Sequence, residues 1–193
     1  MSRTILVTTI LATLIGLAGP VPGEPATKLT VIGATPAETD LAEWAAGRFA
    51  TAGLDLPDLV VEFHADTAGC AGNAGLFTHS APGGVVHLCT GRPPESLVSR
   101  RVALHELAHA WADHSLDAAT RSRFTALRGL SGWDDATLGW EMKAAEHAAE
   151  VVTWALLEEE VLPVRLPGHD PESLRTAYQA LTGAEPELRG AAG

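Results

Sequence analysis

The chain has 193 residues, enough for one ordinary domain with a real core and too few for two comfortable ones. Hydrophobic residues make up 46% and charged residues 19%, which excludes disorder as the default state. A net charge of −11 repels phosphate groups, so nucleic acid and anionic lipid surfaces are poor partners.

The first residues have the pattern of a secretory signal peptide. Arg3 gives a short positive region, and Ile5 to Ala18 is mostly apolar. Gly16-Leu17-Ala18 and Val21-Pro22-Gly23 are small-residue cleavage candidates, which predicts a signal over residues 1–23. The apolar stretch is shorter than the ~20 residues of a spanning helix. The expectation is therefore a secreted or extracytoplasmic protein with no stable membrane association once the signal is removed. Its loss would take away one charge, Arg3, leaving 12 basic against 24 acidic residues. The mature chain, residues 27–193, then reads as a single domain. Cys70 and Cys89 are the only cysteines, and in an exported chain such a pair predicts one disulfide. A rival reading joins Cys70, His79, His87 and Cys89 into a structural zinc site, although no CxxC pair supports it.

In chain order, Gly19 to Thr27 is a linker rich in proline and glycine. Lys28 to Ile32 predicts a first strand. Pro36 opens a helix to about Ala52, with Leu41, Trp44, Ala45 and Phe49 at helical spacing and Gly53 just past its end. Leu59 to Phe63 is a short apolar strand. Ala68 to Gly75 is a loop, Gly75 to Thr78 a possible return strand, and Pro82-Gly83-Gly84 a turn. Val85 to Cys89 is a strand, and a helix follows from about Glu95 to Ser115. The second half is mostly helical. Asp117 to Leu130 is one helix, Ser131 to Gly139 a polar turn region, and Leu138 or Trp140 to Val161 a long helix, apolar nearly all round and hence buried. A loop from Pro163 to Pro171 leads to a final helix, Glu172 to Leu181. The class is α+β: a small mixed sheet of three or four strands, then a helical half.

His105-Glu106-Leu107-Ala108-His109 carries the chemistry. On a helix, residues four apart share a face, so two imidazoles can reach one ion. Neutral imidazole is a good ligand for Zn²⁺. Glu106 projects from a neighbouring face, where it can act on a water without ligating the metal. Zinc acidifies such a water and polarises a carbonyl. Glu106 would take the proton as general base and pass it to the leaving amine. A catalytic zinc needs a third protein ligand and an open position. Glu146 and Glu150 lie one turn apart on the apolar helix, where unpaired carboxylates are costly to bury. A metal and a histidine N–H would remove that cost, and either glutamate can supply the ligand. Peptide hydrolysis also needs a donor to the developing oxyanion. His147, His169 and Tyr178 are the candidates, with no means of choosing among them. His64, His79, His87 and His114 read as isolated packing histidines. Trp44, Trp111, Trp133, Trp140 and Trp154 read as core.

HELAH followed by a glutamate on a downstream helix resembles the gluzincin group of zincin metallopeptidases, in a minimal single-domain form. The resemblance covers about Val85 to Leu157. It implies a small sheet against the HExxH helix, and a third zinc ligand on a later helix. In thermolysin-like members the ligand glutamate precedes by four residues an acid that orients a zinc-ligating histidine. Glu146-xxx-Glu150 is similar, with glutamate in place of aspartate. It implies Glu146 as the ligand, with Glu150 accepting a hydrogen bond from His105 or His109. Ala112 and Ser115 stand where metzincins have glycine and histidine, so that group is not matched. The resemblance further implies that Val85 to Leu88 is an edge strand pairing with extended peptide; the pattern alone equally allows a core strand. Glu141 and Asp113 are the next ligand candidates. The function expected is a secreted zinc metallopeptidase acting on a peptide or protein. The alternatives are a zincin-fold domain that binds zinc and peptide with little turnover, and a metal-free domain with a chance motif.

Overall fold

The computed structural model describes residues 27–80, 83–89, 91–157 and 166–186. The expected signal over 1–23 lies outside the described residues, as do Pro82, Val161 and Pro163. The fold is mixed α+β, with four strands and five α-helices among the described residues.

Strand β1 (Leu29–Ile32) leads into helix α1 (Pro36–Thr51). Thr35 starts that helix with a reciprocal capping box. Its hydroxyl accepts from the Glu38 amide, and the Glu38 carboxylate accepts from the Thr35 amide. Strand β2 (Leu59–Phe63) follows. The loop expected from Ala68 is ordered by a 3₁₀ turn at Thr67–Cys70, which the Asp66 side chain caps. Strands β3 (Gly75–Thr78) and β4 (Val85–Leu88) form a hairpin.

The sheet order is β1-β2-β4-β3. β1 pairs parallel with β2 and β2 parallel with β4, while β3 runs antiparallel to β4. β4 therefore has neighbours on both sides. Of the two readings of Val85 to Leu88, the edge implied by the resemblance is corrected and the core strand holds: the hairpin folds back so that β3 takes the edge and β4 the interior. Period-2 alternation sorts the faces. Leu59, Val61, Val86 and Leu88 are buried toward the helices, and Val60, Glu62, Val85 and His87 lie half-buried on the other face.

Helix α2 (Leu97–Ser115) is capped by Ser96, whose hydroxyl accepts from the Ser99 amide. It packs on β3, β4 and α1, and most extensively on α4. Helix α3 (Ala118–Leu127) is capped by Asp117. The long helix expected from Trp140 is divided. A 3₁₀ turn occupies Trp140–Met142, Lys143 is extended, and α4 runs Ala144–Leu156. The break has a cause. The Ala144 and Ala145 amides, orphaned at a helix start, donate to the carbonyls of Gly132 and Trp133. The polar turn thus caps α4 with backbone rather than a side chain. Every α4 residue except Glu146 is buried. Helix α5 (Pro171–Thr182), capped by Asp170, closes the core with Leu174, Ala177, Tyr178 and Leu181. Trp111 and Trp154 are core as expected, whereas Trp44, Trp133 and Trp140 are only half-buried. Among the described residues no helix is long and apolar enough to cross a membrane.

Cys70 and Cys89 form a disulfide. It removes the rival Cys70–His79–His87–Cys89 metal reading, because both sulfurs are bonded to each other. It ties the 3₁₀ turn to the end of β4, the strand that leads to α2.

Candidate metal centre

Helix α2 sets Arg101, His105 and His109 in one row at intervals of four, all half-buried and turned toward α4. Glu146, in the first turn of α4, reaches the same point. His105 Nε2 lies 3.2 Å and His109 Nε2 3.3 Å from Glu146 Oε2, and the two nitrogens are 3.1 Å apart. This triangle can be compared with a zinc site. Tetrahedral bonds of about 2.0–2.1 Å hold ligand atoms about 3.3 Å apart. The donor set leads to the same conclusion. His105 directs its other nitrogen, Nδ1, at Glu150, which favours a proton there. Three inward lone pairs then face one another, and a cation resolves that crowding better than shared protons. The residues present fit a divalent ion of the zinc class.

Glu150 Oε1 sits 3.4 Å from His105 Nδ1, within ion-pair range but off the line of a straight hydrogen bond. Its Oε2 accepts from Arg101. Sequence reading missed Arg101, although its place one turn before His105 was a usable signal. Burial pushes the Glu150 carboxyl up, but His105 foremost, and then the Arg101 guanidinium, hold it below the usual range. Burial also pushes Glu146 up, but His105 and His109 outweigh it and hold Glu146 well below the carboxylate range. Burial works against a charged His105. Glu146, Glu150 and Glu106 prevail, and its pKa is pushed up to about 10 in the metal-free protein.

Glu106 leaves α2 on the side facing the edge strand and is buried. Burial raises its pKa, while His105, His109 and a hydrogen bond from the Phe77 amide oppose the rise. Gly75 of β3 lies directly against it. A Cβ there would stand 2.6 Å from Glu106 Cγ and Oε1, so only glycine leaves the carboxylate its place.

The three oxyanion candidates are elsewhere. His147 is fully buried, with Nε2 2.9 Å from the Glu141 carbonyl oxygen and Nδ1 accepting from Arg128. His169 is exposed and contacts the Leu166 carbonyl. Tyr178 is packed in the core beside α4. The fallback ligands are also engaged otherwise: Glu141 is exposed in the 3₁₀ turn, and Asp113 contacts His79 Nδ1 at 2.6 Å.

Three histidines expected to be isolated are not: His79 contacts Asp113, and the other two meet each other. His64 and His87 meet at 3.0 Å beside Glu62 on the open face of the sheet. Glu62-Phe63-His64 puts two of these side chains on one face of an extended chain, but His87 is 25 positions beyond Glu62, and the sequence does not reveal the in-register pairing of Glu62 with His87. Comparison with protein-family models, curated proteins and solved structures finds no match to this chain.

Proposed function

We propose that this chain is a zinc-dependent hydrolase acting outside the cytoplasm, a metallopeptidase of the gluzincin type, with His105, His109 and Glu146 as metal ligands. The observation that carries the reading is the convergence of three donor atoms, from two helices, at 3.1–3.3 Å from one another beside a buried Glu106. Helix α2 lying on the sheet, with α4 supplying the third donor, is the arrangement that the zincin resemblance implies. The disulfide is in keeping with an oxidising compartment.

Bound zinc would supply Lewis acidity toward a water and a substrate carbonyl. The chain's own residues supply the rest. Glu106, raised by burial, is suited to accept a proton from water and return it to the leaving amine. Glu150 and Arg101 hold His105 with Nε2 inward. Strand β3, whose outer edge pairs with no other strand among the described residues, offers backbone groups to an extended peptide in place of β4.

Glu106→Gln tests the assignment. It should retain zinc and lose hydrolysis by about 10²-fold or more. Wild-type turnover by this variant on a peptide that the parent cleaves would remove the mechanism. The second reading, a zinc- and peptide-binding domain with little turnover, is favoured by one observation: His147, His169 and Tyr178 are all engaged away from the cluster. Zinc binding without cleavage of any peptide in a diverse library would select it.

A further inference from the structure

We propose that Glu62, His64 and His87 form a second metal site, on the sheet face opposite α2, for a divalent ion of the zinc class. Glu62 and His87 are register partners on the parallel strands β2 and β4. Residues two apart on an extended chain share a face, so His64, just past the end of β2, joins them. Three donor atoms converge. His64 Nε2 lies 3.0 Å from His87 Nδ1, Glu62 Oε2 lies 3.3 Å from that same Nδ1, and it lies 3.7 Å from His64 Nε2. Two imidazole nitrogens and one carboxylate oxygen select zinc-like ions over magnesium or calcium.

The surroundings fix the rings in place. His87 Nε2, the nitrogen turned away from the cluster, contacts Thr78 Oγ1 at 3.4 Å. A hydroxyl there can accept its N–H and leave Nδ1 free to ligate, the outer contact that metal-binding histidines usually have. His64 is covered by Gly69 of the 3₁₀ turn. A Cβ at that position would stand 2.5 Å from the ring's Cγ and Nδ1, so glycine alone lets the turn close on the ring. The Cys70–Cys89 disulfide fastens that turn beside β4. Without a cation, His64 and His87 share one hydrogen across their contact, and the third inward atom, on Glu62, needs another. A divalent ion satisfies all three. The side chains are 18–33% exposed, so the fourth position opens to solvent and the ion exchanges more readily than one held between α2 and α4. The site is independent of the helical cluster, from which the sheet divides it.

The test is zinc stoichiometry on the untagged, disulfide-intact chain, dialysed against Zn²⁺ at neutral pH and measured by atomic emission. The parent should hold about two ions, His64→Gln and Glu62→Gln about one each, His109→Ala about one, and His64→Gln combined with His109→Ala close to none. Glu62→Gln guards against misfolding, because its side chain is a third exposed. If His64→Gln and Glu62→Gln both keep the parent's zinc, the three groups are a hydrogen-bonded cluster only and the proposal is overturned. If His109→Ala keeps the parent's zinc while His64→Gln loses one ion, the sheet site stands and the helical reading fails.

Discussion

Two histidine–carboxylate clusters lie on opposite sides of one sheet, and they are built by different means. The helical cluster takes two histidines from one turn of α2 and closes with Glu146 of α4. The sheet cluster takes Glu62 and His64 from one chain segment and His87 from a parallel neighbour. In the first, the pair is set by helical period and only one ligand depends on tertiary packing. In the second, strand pairing must come first. They differ electrically too. His105 is surrounded by three carboxylates, with Arg101 balancing one of them, whereas the sheet cluster has one carboxylate and partial access to water. The more enclosed cluster, with surplus negative charge, should hold a cation tightly, and the more exposed one should hold it loosely.

The largest effects should come from removing the helical ligands. Glu146→Ala removes the only α4 donor and should nearly abolish zinc binding and hydrolysis. Glu150→Gln only loosens the hold on His105 and should weaken zinc affinity by roughly 10–100-fold while reaching full occupancy at saturating metal. A zinc titration showing the reverse order would exchange the two roles. Gly75→Ala comes next. Its Cβ would meet Glu106 at 2.6 Å without touching a ligand. The expected result is normal zinc content with kcat reduced about 10²-fold, the low end of what a general base contributes. Equal kcat would show that Glu106 can shift at no catalytic cost.

That contrast also explains what the sequence makes legible. The HExxH pair, the partner glutamates and the α+β order are local patterns: a period of 3.6 or 2, a proline at Pro36 opening a helix, a glycine pair before Val85. Those patterns place the four strands and four of the five helices to within about three residues; α4 is the exception. What escaped was non-local. Period-2 alternation puts Val86 and Leu88 inward but does not say which strands flank them, so the pattern left β4 open between edge and core, and the edge that the resemblance implied is occupied by β3. His87 seemed solitary because nothing within β4 points to Glu62. The division of the long helix at Lys143 depends on carbonyls at 132 and 133, contributed by a turn whose position the pattern does not fix.

The disulfide sharpens the comparison at an intermediate scale. It links residues 19 apart and should contribute about 3 kcal/mol on the loop-entropy model. Cys70→Ala with Cys89→Ala should therefore lower the denaturant midpoint. It should also loosen the 3₁₀ turn over His64, so sheet-site zinc falls while helical zinc persists. Equal loss at both sites would mean that the turn supports the domain generally rather than the sheet cluster.

The subtlest expectation concerns pH, where metal-free and zinc-loaded protein should move in opposite directions. In the metal-free chain His105 is raised from about 6.5 to about 10 by its carboxylate neighbours. A group raised on folding binds its proton more tightly in the native state. Its stabilisation is complete below the unfolded value and is lost as pH rises through the folded one. Thermal stability of the metal-free protein should thus decline from about pH 7 toward pH 10. Glu146 and Glu150, both lowered, work in the acid range instead. Their stabilisation is present above the ordinary carboxylate value and fades on acidification below it. Zinc reverses the alkaline trend, because it needs His105 and His109 unprotonated and displaces the proton that the carboxylates hold. Loaded protein should therefore gain stability relative to metal-free protein as pH rises through neutrality, and zinc uptake near pH 7 should release about one proton. His105→Gln should flatten the metal-free decline above pH 7. If that variant and the parent fall in parallel between pH 7 and 10, the proton is not on His105, and the negative field of the helical cluster is weaker than its three carboxylates imply.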